Sequence, residues 1–140
     1  MAKSSQPAKV EIVIPLPPPA THPNSSAARG HWSVKAKAAK KQRSDACWAT
    51  LLAIDEAEMG GRPSWPAATI QATFHKPETR AKRSDRDGLN AWLKATIDGI
   101  VDAGLLDDDR GVQLQPAIEL LGEQSDGERK VVLVVTRLDG

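Results

Sequence analysis

The chain has 140 residues, a net charge of +1 and a single cysteine, Cys47. This length suits one domain with its own core, and one cysteine excludes an intrachain disulfide or a multi-cysteine zinc site. Every apolar run is shorter than the roughly 20 residues that cross a bilayer, and the start lacks a signal-peptide core. We therefore expect a soluble, cytoplasmic protein with no membrane contact.

The first half of the chain predicts a strand, a long helix and a second strand. After a polar tail over 1–9, expected to be flexible, Val10–Pro15 alternates as a strand. A proline-rich stretch that cannot be helical follows. A helix is then expected from Ser33 to about Met59, and Ala68–Lys76 alternates as a second strand. Four residues of the long helix are predicted to be buried: Ala46, Leu51, Ile54 and Ala57.

The second half predicts another helix and two strands. Apolar residues recur at three- and four-residue steps up to Val101, with Asp87 as a suitable N-cap and Gly104 as a suitable stop. Val112–Leu121 and Lys130–Leu138 follow as strands, the first interrupted or at an edge because of a proline. The order β-α-β-α-β-β predicts one α/β (α+β) layered domain, with a mixed four-stranded sheet and two main helices.

Acidic residues bracket the second helix. Asp85 and Asp87 precede it, Asp107–Asp109 follow it, and Lys94 and Asp98 lie on one of its faces. Taken singly, such aspartates are typical of caps or exposed positions. Together they are the oxygen ligands that Mg²⁺ takes, and a bound cation would turn the cluster into a site that attracts phosphate. The residues alone therefore predict metal-assisted hydrolysis of a phosphodiester.

The same residues resemble the RusA family of Holliday junction resolvases. The motif runs from an Asp-x-Asp sequence at Asp85 through Lys94-x-x-x-Asp98 to an Ala-Gly ending at Gly104 and then a run of aspartates. The opening strand, VEIVIPL, runs into a proline-rich turn that is similar to the family's first turn. The resemblance covers nearly the whole chain, with 10–140 as the expected endonuclease domain, and its specific part is confined to Asp85–Asp109.

The resemblance implies a specific activity and residue roles. The family consists of Mg²⁺-dependent endodeoxyribonucleases that cut four-way DNA junctions in recombination and repair, and Mn²⁺ is an expected substitute. It implies that Asp85, Asp87 and Asp109 ligate the metal, that Asp108 belongs to the metal site beside them, and that Lys94 contacts the scissile phosphate. Alternation along an extended segment leaves Asp107 as a rival of Asp109 for the ligand position. It also implies a homodimer, for which Trp65 or the final strand are candidate apolar surfaces.

Basic residues predict where DNA would bind. The stretch 29–43 holds six bases and no acid, whereas 98–128 holds nine acids and one base. A basic surface beside an acidic pocket allows a nuclease to hold a polyanion, although a solvated helix face explains any one lysine equally well. The predicted DNA contacts are Arg29, Lys35, Lys76, Arg80, Lys82, Arg83 and Arg86.

Two other functions are compatible with the same residues. One is a non-catalytic junction- or DNA-binding protein in which the acids hold a structural cation. The other is a different metal-dependent phosphohydrolase with the same carboxylate cluster. The sequence gives no preferred cleavage dinucleotide and no metal count.

Overall fold

The computed structural model describes residues 8–16, 32–76 and 92–138. In these stretches no helix is long and apolar enough to span a membrane. The predicted fold class is confirmed: two helices and a mixed sheet follow one another in the expected order. The elements are β1 (Lys9–Pro15), α1 (Trp32–Glu56), β2 (Ala68–Lys76), α2 (Lys94–Ala103), β3 (Val112–Leu114), β4 (Ile118–Leu121) and β5 (Lys130–Arg137).

The sheet has five strands rather than the predicted four. Its order is β1-β5-β2-β3, and β4 also pairs with β2. The β1–β5 and β5–β2 pairs are antiparallel, whereas β3 and β4 both run parallel to β2. The predicted strand over 112–121 is divided because Pro116 has no N–H to donate to a ladder. At the break, Gln71 Nε2 donates to the Pro116 carbonyl at 2.8 Å.

Alternating side chains of the strands build the core. In β1 every second residue is buried, and β2 and β5 follow the same period, so one face of the sheet is apolar. Helices α1 and α2 pack against each other, and α1 also packs against β1. Phe74 stacks on Trp92, with 5.7 Å between the ring centroids, which joins β2 to the residues just before α2.

The two helices meet at a close seam formed by Gln42, Ala46, Thr96 and Gly99, which we call the α1–α2 seam. A Cβ added at Gly99 would overlap the carbonyl oxygen of Arg43 and lie 2.8 Å from the Cβ of Ala46. Buried Gln42 donates from Nε2 to the Trp92 carbonyl at 2.7 Å and to Thr96 Oγ1 at 2.9 Å. The seam therefore fixes where α2 begins.

Helix α1 differs from its prediction on one face. Ala46 and Ile54 are buried as expected and Ala57 is half-buried, but Leu51 is 40% exposed. Leu51 lies on the stripe of Trp48 and Leu52, opposite the seam, so its predicted burial is wrong. The helix ends at Glu56, a few residues before the expected position.

The end of α2 is as predicted. Gly104 has a φ of 91°, the left-handed conformation that favours glycine, and its N–H donates to the Val101 carbonyl at 2.9 Å. The described helix begins at Lys94, after Leu93. The predicted cap, Asp87, lies outside the described residues.

Candidate active site

The backbone after α2 is clamped onto the segment that precedes β2. Ser64 N–H donates to the Gly104 carbonyl at 2.7 Å, and Trp65 N–H donates to the Leu105 carbonyl at 2.8 Å. Asp107 N–H donates back to the Trp65 carbonyl at 2.9 Å. These bonds hold the chain in place at the point where the three consecutive aspartates begin.

Asp108, a predicted metal ligand, also caps the turn that follows it. It is extended, and its carboxylate accepts from the Arg110 N–H at 3.0 Å and from the Arg110 guanidinium at 2.9 Å. A short 3-10 turn, Asp109–Gly111, follows. The hydrogen bonds from Arg110 hold the pKa of Asp108 well below its usual range, so this carboxylate is ionised but already matched by a cation.

Two adjoining pockets lie along α2, and Asp109 borders both. The first, of about 210 Å³, is lined by Lys94, Ile97, Asp109, Val112 and Leu114. The second, of about 250 Å³, is lined by Arg43, Asp98, Val101, Asp107, Asp108 and Asp109. We call the four carboxylates of the second pocket the acidic rim. The fold thus brings Lys94, Asp108 and Asp109 to one side of α2.

The ammonium group of Lys94 lies close to the acidic rim, but its ion pair with Asp98 holds it only weakly. Its Nζ lies 4.0 Å from Asp98 Oδ2, and its side chain is 77% exposed. Exposed pairs of this kind contribute about 0–1 kcal/mol. Little energy therefore opposes a turn of Lys94 toward a bound phosphate.

A tighter ion pair closes the other side of the second pocket. The Arg43 guanidinium donates to both oxygens of Asp102, at 2.6 and 2.8 Å. These hydrogen bonds lower the pKa of Asp102 and raise the pKa of Arg43. The pair links α1 to α2 beside the acidic rim, so the negative charge of Asp102 is balanced by Arg43 of the same chain.

The donor chemistry of the rim suits a hard cation. Its ligand atoms are carboxylate oxygens, which Mg²⁺ prefers over nitrogen or sulfur. Among residues 8–16, 32–76 and 92–138, however, no three His, Cys, Asp or Glu side chains are grouped closely enough to hold a metal. Two of the predicted ligands, Asp85 and Asp87, lie outside these ranges.

Two predicted DNA contacts can be placed, in opposite environments. Lys35 is exposed near the start of α1. Lys76 is only 13% exposed; its Nζ pairs with Glu119 and lies 5.7 Å from the ring centroid of Trp92. Its charge therefore faces the protein, and a DNA contact by Lys76 has no support from this geometry. The other predicted contacts lie outside the described residues: Arg29, Arg80, Lys82, Arg83 and Arg86.

Sequence reasoning missed residues that position the site. Gln42 anchors the start of α2, Arg43 holds Asp102, and Arg110 holds Asp108. Gln42 carries a weak signal, as an uncharged amide inside the basic run KKQR. Arg110 directly follows the three aspartates, which is a local signal for a capping pair. The Arg43–Asp102 pair spans two helices and has no such signal.

Comparisons with known proteins do not identify a family. The sequence matches no protein-family profile and no curated protein. One similar solved structure is a cyanuric acid hydrolase, described as an evolutionary innovation by structural concatenation. It is 11% identical with a TM-score of 0.42, and the match covers 99% of this chain but 40% of that one. A likeness at this level carries no argument about fold or activity.

Proposed function

We propose that the chain is a Mg²⁺-dependent endodeoxyribonuclease that cuts four-way DNA junctions. The observation that carries the proposal is the shared position of Lys94 and Asp109, which are 15 positions apart in sequence but line one pocket. Asp109 also borders the neighbouring pocket with Asp98, Asp107 and Asp108. A lysine that can contact a phosphate, next to carboxylates that can hold a metal, is an arrangement that supports phosphodiester hydrolysis.

The segment that carries Asp85 and Asp87 lies between two described residues in sequence. It follows Lys76 and precedes Trp92, and these two residues contact each other. Asp87 is five positions before Trp92, and five residues of extended chain span at most about 18 Å. Since Asp87 is also only seven positions before Lys94, which lines a pocket with Asp109, we propose that Asp85 and Asp87 join Asp109 as ligands, as the family resemblance implies.

The chain's own residues have distinct roles in the proposed reaction. Asp85, Asp87 and Asp109 would hold the divalent cation, which when bound would supply Lewis acidity to the phosphate. Lys94 stabilises charge that builds on the phosphoryl oxygens, since its exposed ammonium can leave Asp98. Asp108 and Arg110 brace the turn that presents Asp109.

The choice of four-way junctions as substrate comes from the resemblance to RusA resolvases and not from the pocket. Paired cleavage of a symmetric junction needs two active centres, which is why we propose a homodimer. Lys35, together with basic residues outside the described ranges, would contact the DNA backbone. Such contacts predict binding that weakens as salt rises.

A cleavage panel tests the proposal. The substrates are a synthetic mobile four-way junction, a linear duplex of the same sequence, a single strand and a small phosphodiester, each with Mg²⁺, Mn²⁺ or Ca²⁺. We expect cutting of the junction with Mg²⁺ or Mn²⁺, and binding without cutting in Ca²⁺. Asp85→Asn and Asp87→Asn should each abolish cutting but retain binding, because an amide cannot supply an anionic oxygen.

Other outcomes of this panel favour the alternatives. Junction binding without cutting in any metal indicates a non-catalytic DNA-binding protein with a structural cation. Hydrolysis of a small phosphodiester without cutting of the junction indicates another metal-dependent phosphohydrolase. Either result contradicts the proposed function.

A further inference from the structure

The outer face of α1 is apolar and exposed. Trp48 is 67% exposed, Leu52 is 63% exposed and Leu51 is 40% exposed. Because these residues are three and four positions apart, they form one continuous patch on the helix. The patch lies opposite the α1–α2 seam, so neither α2 nor the sheet covers it. A contiguous exposed apolar patch of this kind is typical of a protein–protein contact.

Charges of opposite sign flank this patch along the helix. Lys41 is seven positions before Trp48, and Asp55 is seven positions after it; both are exposed. Seven residues are nearly two full turns, so both charges lie on the same stripe as Trp48, each about 10 Å from it. The basic half of α1 also contains Lys35, Lys37 and Lys40, whereas its last turn contains Asp55 and Glu56.

We propose that this face binds a second copy of the same chain, with the two α1 helices antiparallel about a two-fold axis beside Trp48. In that arrangement Trp48 meets its own counterpart, and Lys41 of each copy faces Asp55 of the other. Because a two-fold axis repeats every contact between the two copies, the Lys41–Asp55 ion pair forms twice. Parallel helices would instead oppose like charges.

The other apolar surfaces fit a second copy less well. Trp65, a candidate from the sequence, is 2% exposed, and β5, the other candidate, is paired along both edges. Val13 and Ile118 are about half exposed on the sheet. They lack the symmetric placement of opposite charges that α1 shows, so we use Val13 as the control surface.

The interface deepens the proposed function, since it names the surface that joins the two centres needed for paired cleavage. It can be tested without DNA or metal. Sedimentation velocity of the full chain across the micromolar range should show a dimer. Trp48→Glu combined with Leu52→Glu should weaken association at least about tenfold, whereas Val13→Glu should leave it unchanged. Thermal melting by circular dichroism checks that each variant remains folded.

Charge reversal tests the antiparallel register. Lys41→Glu and Asp55→Lys should each weaken association, because each places like charges opposite one another twice. The double variant should regain dimerisation, and so should a mixture of the two single variants, which restores both ion pairs in a heterodimer. Lys41 also pairs with Asp45 of its own chain at 2.8 Å. Loss of that pair would not be repaired by a change at Asp55.

Three results would overturn the inference. A wild-type chain that stays monomeric excludes a second copy, and the patch then belongs to another segment or partner. Dimerisation lost in Val13→Glu but kept in the α1 variants places the contact on the sheet. Failure of both rescue experiments contradicts the antiparallel arrangement of the two helices. A wild-type dimer that cuts no junction would instead contradict the proposed function and leave this interface intact.

Discussion

The α1–α2 seam and the acidic rim occupy two sides of one helix and are built from opposite kinds of residue. At the seam, small or fully hydrogen-bonded side chains such as Gly99, Ala46 and Gln42 are buried. At the rim, Asp107 and Asp109 are exposed, and folding does not need their charge. Residues of the seam hold α2 in place, whereas residues of the rim depend on the position of α2 for their proposed role in catalysis. Variants on the two sides should therefore fail in different assays.

Among variants of helices α1 and α2, Lys94→Ala should give the largest effect, and on catalysis alone. A cation placed for the transition state typically contributes about 3 kcal/mol, or about a hundredfold in rate. The side chain is exposed, so the unfolding free energy should change little. Single-turnover junction cleavage measures the loss, with Lys37→Ala as the exposed-lysine control. A cleavage rate equal to wild type would show that Lys94 has no role in catalysis.

Gly99→Ala should have the opposite profile. The added methyl overlaps the Arg43 carbonyl and separates the helices, and such overpacking typically costs about 1–3 kcal/mol. We expect the upper end of this range because the overlapping atom belongs to the backbone. Better helix propensity returns about 1 kcal/mol, so the net loss in urea unfolding should be roughly 2 kcal/mol. Ala46→Gly should not rescue it, since the closest contact is backbone. A fully stable Gly99→Ala would contradict the seam.

Gln42→Ala should destabilise the contact between the helices by a comparable or smaller amount. The Trp92 carbonyl and Thr96 Oγ1 both lose this buried donor, and the loss of such a partner costs about 1–3 kcal/mol. Gln124→Ala, at an exposed position, is the matched control and should be neutral. Chemical denaturation of both variants compares them directly. Equal midpoints would show that Gln42 does not anchor α2.

The Arg43–Asp102 pair should give the smallest effect, and one that depends on pH. Because Arg43 lowers the pKa of folded Asp102, the pair stabilises the protein above the ordinary carboxyl pKa of about 4. This stability disappears as pH falls through the lower folded-state pKa. Both side chains are substantially exposed, so the contribution should be under about 1 kcal/mol.

Unfolding of Asp102→Asn and wild type at neutral pH and near pH 2 measures this dependence. The difference in unfolding free energy should be present at neutral pH and should shrink in acid, because protonation of Asp102 removes the charge that Asp102→Asn also lacks. Asp126→Asn, at an exposed turn position, should show no such change. A difference that persists undiminished at low pH would contradict the pairing.

The sequence predicted the fold class and the stop at Gly104, because both depend on local periodicity and on a backbone conformation that glycine favours. It predicted the β2 boundaries for the same reason. It did not predict the burial of Lys76, since its partner, Glu119, comes from a strand 43 positions later. Nor did it predict exposed Leu51, because apolar residues lie on both sides of α1 at that point.

The candidate site was partly predictable for a related reason. The grouping of Lys94 with Asp98 follows from helical spacing alone. The approach of Asp109 to Lys94 depends on the turn at Gly104 and on the clamp to Trp65, and only the tertiary structure contains these. The role of Asp108 as a cap depends on Arg110 two positions later, which competes with any metal for that carboxylate.

The three consecutive aspartates provide the most direct test of the central claim that the rim, and not the seam, performs catalysis. Junction cleavage in Mg²⁺ and urea unfolding should be measured together for Asp107→Asn, Asp108→Asn and Asp109→Asn. We predict that Asp109→Asn is inactive, Asp108→Asn is impaired and Asp107→Asn is close to wild type, while Asp109→Asn unfolds like wild type. An Asp109→Asn variant that is stable and cuts junctions at the wild-type rate would contradict the account.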